Sequence, residues 1–329
     1  MRFLACLLGL ACCACSTSVE AAVRAPAPAP GTWRLWQDQA VFSAVDRLLA
    51  GARGRVWVEM YEFGRPDLAA SLLAARRRGA DVRLVYDPTV GVSRATAARL
   101  RGKGLPVRPY PVDDRLHQID HVKLLIADGV ALAGGMNWGV TSRLNHDYAV
   151  EVRAARPVAR LGAIFLQDWR LAGGSPAPLP EPPGDAAEVA QTAPGEGIRA
   201  LLEGDLARAR RRIRAEVFAL TDPEVIAALA IAARGGLDVR VLLDPNQDVN
   251  RPTYQLLRAG GVPVRWYPAA AGTKLHAKAG LFDRRLVVGS ANWSRSGLGS
   301  NHELDLEVTA PADVEEFSRR FDLDWAAAG

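Results

Sequence analysis

The sequence predicts an α/β protein built from two homologous α/β/α sandwich domains with mixed sheets, related by a pseudo-twofold axis, with the active site at the domain interface. Three observations predict it. The first is an internal repeat at a period of about 155–157 residues: ADVRLVYDP at 80–88 returns as LDVRVLLDP at 237–245, and LPVRPYP at 105–111 returns as VPVRWYP at 262–268. Such a period is too long for a solenoid and means two copies of one domain. The second is the alternation of strand-like and helix-like segments within each copy, which argues α/β layers with a largely parallel sheet and late antiparallel pairs. The third is the Pro/Gly-dense stretch 173–196, read as an exposed linker between domains at 32–172 and 197–329.

The elements follow in order. In the first copy Val56–Phe63 is an apolar-rich strand, and Pro66–Arg78 is a helix with Leu68, Leu72 and Leu73 at helical spacing. Val82–Tyr86 is a buried strand, Arg94–Gly102 a helix and Pro106–Tyr110 a strand. His121–Ala127 and Val130–Gly134 are strands around Asp128-Gly129, a hairpin signal. Tyr148–Val152 is a strand and Pro157–Leu171 a closing helix. The second copy repeats this: strand Ile213–Leu220, helix Pro223–Arg234, strand Val239–Leu243, helix Pro252–Ala259 and strand Pro263–Tyr267. Strands His276–Phe282, Leu286–Gly289 and Leu304–Val308 and helix Ala312–Trp325 complete it.

The chain has 329 residues, 49% of them hydrophobic and 23% charged, which excludes a disordered or collagen-like chain. The net charge of +5 permits an anionic partner without demanding one. No apolar run reaches the roughly 18–20 residues of a spanning helix. All four cysteines lie in the first 15 residues, so the body has neither disulfides nor a thiolate metal site. Arg2 followed by an apolar stretch from Phe3 to Ala14 reads as an export signal. Cys15 before Ser16-Thr17-Ser18 looks like a bacterial lipoprotein processing point, with Cys12 and Cys13 as rivals and plain cleavage to a soluble exported protein as the alternative. Residues 16–31 then read as an Ala/Pro tether.

Each copy carries His-x-Lys-x4-Asp: His121, Lys123 and Asp128, then His276, Lys278 and Asp283. Nine residues after each Asp comes an Asn, Asn137 in GGMN and Asn292 in GSAN. On a strand, residues two apart share a face, so each His and Lys point together, and a twofold packing can bring both pairs to one pocket. Two imidazoles, two ammonium groups and two amides suit a phosphodiester, because they stabilise charge as phosphorus becomes five-coordinate. The basic residues are Arg except for four Lys, and two of those four stand in the motifs, where a compact point charge is wanted.

The doubled motif resembles the phospholipase D superfamily over residues 33–329. The resemblance implies a phosphodiesterase in which one imidazole attacks phosphorus and the other protonates the leaving alcohol. It assigns the nucleophile to His121 and the acid to His276. It places Glu303 against His121 and Asp147 against His276, across the interface, to orient the rings. Lys123, Lys278, Asn137, Asn292 and Ser290 are expected on the phosphate, with Gly135 leaving one hydroxyl fewer in the first copy. Asp128 and Asp283 belong to the catalytic motif but are expected to hold turns. His117 reads as a surface-loop residue, Trp138 and Trp293 as core. His146 and His302 repeat in Asn-His-Asp and Asn-His-Glu and stand behind the carboxylates or are mere packing. The run Arg208, Arg210, Arg211, Arg212, Arg214 reads as a solvated helix face.

No metal and no cofactor is expected, since no Cys/His or paired-carboxylate spacing suits a metal. The expected activity is hydrolysis of a phospholipid by an exported monomer, tethered at the periplasmic or outer membrane surface. Cardiolipin-synthase-like transfer and metal-independent cleavage of DNA are the alternatives.

Overall fold

The computed structural model describes residues 32–175, 188–192 and 196–328. The export signal, Cys15 and the tether lie outside the described residues.

The first half runs β1 (Trp33–Gln37), α1 (Gln39–Gly51), β2 (Arg55–Met60), α2 (Pro66–Arg77), β3 (Asp81–Tyr86), α3 (Gly91–Gly102), β4 (Val107–Pro109), β5 (Lys123–Ala127), β6 (Val130–Gly134), β7 (Tyr148–Val152) and α4 (Ala155–Leu171). The second runs β8 (Val189–Gln191), α5 (Gly197–Arg208), β9 (Arg212–Val217), α6 (Pro223–Arg234), β10 (Asp238–Leu243), α7 (Asn250–Ala259), β11 (Val264–Trp266), β12 (Lys278–Phe282), β13 (Arg285–Gly289), α8 (Arg295–Gly299), β14 (Leu304–Val308) and α9 (Pro311–Ala327). Local chemistry sets the boundaries. Pro223 opens α6 while the Asp222 carboxylate accepts from the Glu224 and Val225 N–H groups at 3.1 and 3.2 Å.

Two seven-stranded mixed sheets result, ordered β1-β7-β6-β5-β2-β3-β4 and β11-β10-β9-β12-β13-β14-β8. They have the same order in mirrored reading, with the β2-β3-β4 and β9-β10-β11 sets parallel and the remainder antiparallel. One apolar core lies between the first sheet and α1–α3, another between the second sheet and α5–α7. A third is shared: Leu124 and Ile126 of β5, Ala279 and Leu281 of β12, and Phe165 and Phe317 of α4 and α9 pack into one cluster. Burial on both faces accounts for the near-continuous apolar strands.

Three sequence expectations change. Residues 188–192 are not exposed linker: Val189–Gln191 is a buried strand that pairs with β14, because the sheet's last strand needs a partner for its free N–H and C=O groups. β1 and α1, unassigned from sequence, add the corresponding edge strand and a helix to the first half, as α5 adds a helix to the second. The motif strands start at Lys123 and Lys278, not at the histidines. The reason is that the His121 N–H leaves its own sheet and donates to the His302 carbonyl at 2.8 Å, as His276 N–H does to His146.

Candidate active site

These exchanged backbone bonds stitch the halves together at the motif. Short parallel bridges join Asp120 to His302 and His146 to Leu275. Each motif histidine therefore starts from backbone fixed by the opposite copy, and each motif lysine lies two residues on in extended chain.

The rings are held by carboxylates of the opposite copy. His121 Nδ1 donates to Glu303 Oε2 at 2.9 Å, and His276 Nδ1 donates to Asp147 Oδ2 at 2.6 Å. Neither carboxylate occupies Nε2, which in His276 lies instead beside the Lys278 ammonium. Tyr61 lies edge-on to His121 with centroids 4.7 Å apart, and Phe218 tilts against His276 at 4.8 Å. The same two rings sit under the ammonium groups, Lys123 Nζ 4.9 Å from Tyr61 and Lys278 Nζ 4.9 Å from Phe218. Each Nζ donates to the carbonyl of its own motif histidine, and Lys278 Nζ also lies 3.1 Å from both His276 ring nitrogens.

Burial disfavours charge throughout. It lowers His121 well below the ordinary histidine value, helped by Lys123 and Lys278. Burial, then Lys278, brings His276 to about 3 although Asp147 opposes them. Lys123 falls to about 7 and Lys278 to about 8, both mainly through burial. Burial raises Glu303 to about 7 against Lys123, Ser290 and Asn301. Each half's groups perturb those of the other, so the two histidines and two lysines form one electrostatic unit.

An anion entering this unit couples to its protons, and this sets a pH dependence. The lysines lose charge as pH rises through about 7 and 8, whereas a bound phosphate favours their charged forms and raises both values. Inorganic phosphate binding is expected to take up protons at about pH 8 and to weaken by up to about tenfold per proton per further pH unit. Calorimetry in buffers of different ionisation enthalpy reads the uptake; observed heats that do not change with the buffer would refute it.

Several expected site residues are placed otherwise. Ser290 does not face a phosphate: it is fully buried, donates to Glu303 Oε2 at 2.5 Å and accepts from Leu304 N–H at 2.9 Å. Gly135, its counterpart, leaves room for Asp147, since a Cβ there would collide with Asp147 Oδ1. Asp128 and Asp283 leave the catalytic set. They sit past the far ends of β5 and β12, roughly 17 Å beyond the motif lysines at the strand rise. Both have positive φ, 52° and 55°. Asp128 accepts from the N–H groups of Arg53, Gly54 and Arg55 at 2.8–3.0 Å, and Asp283 from those of Arg210, Arg211 and Arg212 at 2.8–3.0 Å. These bonds outweigh partial burial and hold both carboxyls below their ordinary value. Arg212 and Arg214 are on β9, not a helix, and Arg214 is buried against Asp238.

Asn137 Nδ2 faces Glu62 at 3.4 Å, while the buried Oδ1 atoms of Asn137 and Asn292 have no hydrogen-bond partner among the described residues. His117 is exposed, and Trp138 and Trp293 are core. Sequence spacing missed two groups that converge only in the fold. Glu59, Asp168 and His302 bring ligand atoms within 4.8 Å of one another, as do His146, Glu216 and Asp324. The repeat carried a signal for them: Glu59 and Glu216 interrupt matching apolar strands, and Asp168-Trp169 matches Asp324-Trp325.

The sequence profile described as "Cardiolipin synthase, PLD-like domain" matches residues 45–169 and 202–325. The cardiolipin synthase of Geobacillus kaustophilus is 27% identical over 89% of this chain and 66% of its own length. The chain spans about two thirds of that relative and 61% of the cardiolipin synthase of Geobacillus thermodenitrificans. Among solved structures, phosphatidylserine synthase from Haemophilus influenzae matches 89% of this chain and 86% of its own at 14% identity, with a TM-score of 0.70.

Proposed function

Since the chain belongs to the phospholipase D-like family of the cardiolipin synthases, we propose that it is a phosphatidyltransferase acting through a phosphohistidine. The observation that supports this reading is the crossed pair of imidazoles, each with Nδ1 held by the opposite copy's carboxylate and Nε2 clear of it, beside two buried ammonium groups. Hydrolysis, the first expectation from sequence, uses the same intermediate. The matching relatives are named as synthases, which supports transfer over hydrolysis.

With Nδ1–H donated to Glu303, the neutral His121 ring presents its Nε2 lone pair to phosphorus. Binding of the diester's negative charge beside Lys123 and Lys278 offsets the lysines' repulsion and lets His276 take up a second proton, on Nε2, while Nδ1–H stays on Asp147. The P–N bond forms as the P–O bond to the leaving alcohol breaks, and the His276 imidazolium gives that oxygen its Nε2 proton. The second substrate's hydroxyl then attacks phosphorus, gives its proton to His276 and releases His121. Asp147 supports the His276 imidazolium at 2.6 Å. Glu303 is shared with Ser290 and Asn301, so it favours the imidazolium less than Asp147 does and leaves His121 the ring that stays neutral, with its Nε2 lone pair free. Lys123 and Lys278 stabilise the five-coordinate phosphorus through their charge.

The test offers phosphatidylglycerol vesicles, phosphatidylcholine vesicles and plasmid DNA, with and without EDTA. Cardiolipin and free glycerol are expected from phosphatidylglycerol, equally with EDTA. Phosphatidic acid alone would replace transfer by hydrolysis; cleavage of DNA alone would remove the lipid reading. Export with lipidation at Cys15 would set this site at a membrane surface. Loss of membrane partitioning in Cys15→Ala tests it.

A further inference from the structure

The two histidines behind the site, His146 and His302, touch no reacting atom, yet each is held in the same way by the opposite half. His302 is fully buried among first-half residues: Nε2 donates to Asp168 Oδ2 at 3.1 Å, Glu59 Oε1 lies at 3.5 Å, and the ring stacks on Tyr110 with centroids 4.6 Å apart. Asp120, just before His121, faces the same cluster. His146 is held by second-half residues: Nε2 lies 3.1 Å from Glu216 Oε2 and 3.5 Å from Asp324 Oδ2, and the ring stacks on Tyr267 at 5.1 Å. Its own half adds Asp38 on Nδ1 at 2.8 Å and the Tyr148 hydroxyl, and Arg320 balances Asp38 and Asp324.

The main chain of the same two residues builds the active site. The His302 carbonyl accepts His121 N–H at 2.8 Å, its N–H donates to the Ile119 carbonyl, and the next residue, Glu303, holds the His121 ring. The His146 carbonyl accepts His276 N–H at 2.8 Å, its N–H donates to the Lys274 carbonyl, and Asp147 holds the His276 ring.

We propose that His146 and His302 are positioning residues, each an imidazolium clasp that reaches into the opposite half's carboxylate pair and thereby fixes the backbone and ring of the facing reactive histidine. This rests on the transfer reading above for its kinetic effect. The physical argument is one of position. A buried ion cluster stabilises less than apolar packing of equal volume, so two of them at the register-setting bridges are explained by specificity of placement. The surrounding carboxylates favour the charged ring: they raise His302 well above the ordinary value, and His146 to about 10, although burial alone pulls both down.

The test compares His302→Asn, Glu303→Gln and the double variant on phosphatidylglycerol vesicles. His302→Asn is expected to lower kcat by about 10–100-fold with KM changed less than about threefold, because it displaces a reacting ring rather than removing a substrate contact. If His302 acts through Glu303, the double variant is little worse than the poorer single one; losses that multiply, or a kcat within about twofold of wild type, overturn the proposal. Should His302→Asn fail to fold, Asp168→Asn keeps the ring and its Tyr110 stack while weakening the clasp, and the same criteria apply. A readout free of activity separates this from failure of the functional reading. The chain has five histidines, so histidine-selective ¹⁵N labelling resolves each ring. The hydrogen-bonded Nδ1 proton of His121 is expected in wild type and lost to exchange in the His302 or Asp168 variant, while that of His276 persists; retention of both overturns the proposal even if no lipid is turned over.

Discussion

His121→Ala and His276→Ala should each lower phosphatidyl transfer by about 10²–10⁴-fold, but they should differ sharply on an activated substrate. From a p-nitrophenyl phosphodiester the nitrophenolate departs as a stable anion and needs no proton. His276→Ala should therefore still form the phosphohistidine on such a substrate, giving a burst of nitrophenol close to stoichiometric with enzyme. Release of the adduct then stalls, because no base remains to activate the acceptor. His121→Ala has no nucleophile and should give no burst. Alkaline-quenched mass spectrometry should find the adduct on His121, and its appearance on His276 would reverse the two roles. The geometry supports this order. Asp147 meets His276 at 2.6 Å and spends its other oxygen on the Tyr148 N–H at 2.8 Å, so the oxygen on the ring is not divided. Glu303 divides its acceptors among His121, Ser290 and Asn301.

How far the sequence carried this depends on what each residue does locally. The twofold layout was legible because the repeat preserves strand, turn and motif together, and because a polar His-x-Lys at the head of an apolar strand stands out. The crossed carboxylates Asp147 and Glu303 were reachable through their common position after Asn-His. Glu59 and Glu216 were not, since a single acid inside a strand has the same local pattern whether it faces solvent or a buried imidazolium. Their meaning appears only when residues about 70 to 240 positions away, Asp168 and His302 or His146 and Asp324, fold against them. β1, α1 and β8 escaped for a related reason. Their apolar stretches are short, and the edge they complete belongs to strands far along the chain.

Ser290 shows the opposite failure, a residue singled out for the wrong partner, and it leads to the second large effect. The two copies solve one problem with different pairs. In the second copy the longer Glu303 reaches His121 while Ser290 braces its Oε2; in the first, Asp147 is one methylene shorter and occupies the volume a side chain at Gly135 would need. Gly135→Ser is expected to push the Asp147 carboxylate off His276 and to lower kcat by about 10²-fold, at a stability cost of about 1–3 kcal/mol. Asp147→Glu alone is expected to lose activity too, since the extra methylene enters space shaped for Asp. The double variant Gly135→Ser/Asp147→Glu copies the arrangement of the second half and should recover to within about tenfold of wild type, because the hydroxyl regains a carboxylate to brace and the carboxylate regains its reach. Kinetics with thermal melts of all three variants decide it. Losses that simply multiply would mean that the two halves are not interchangeable at this point and that the brace in the second copy serves something other than the His121 ring.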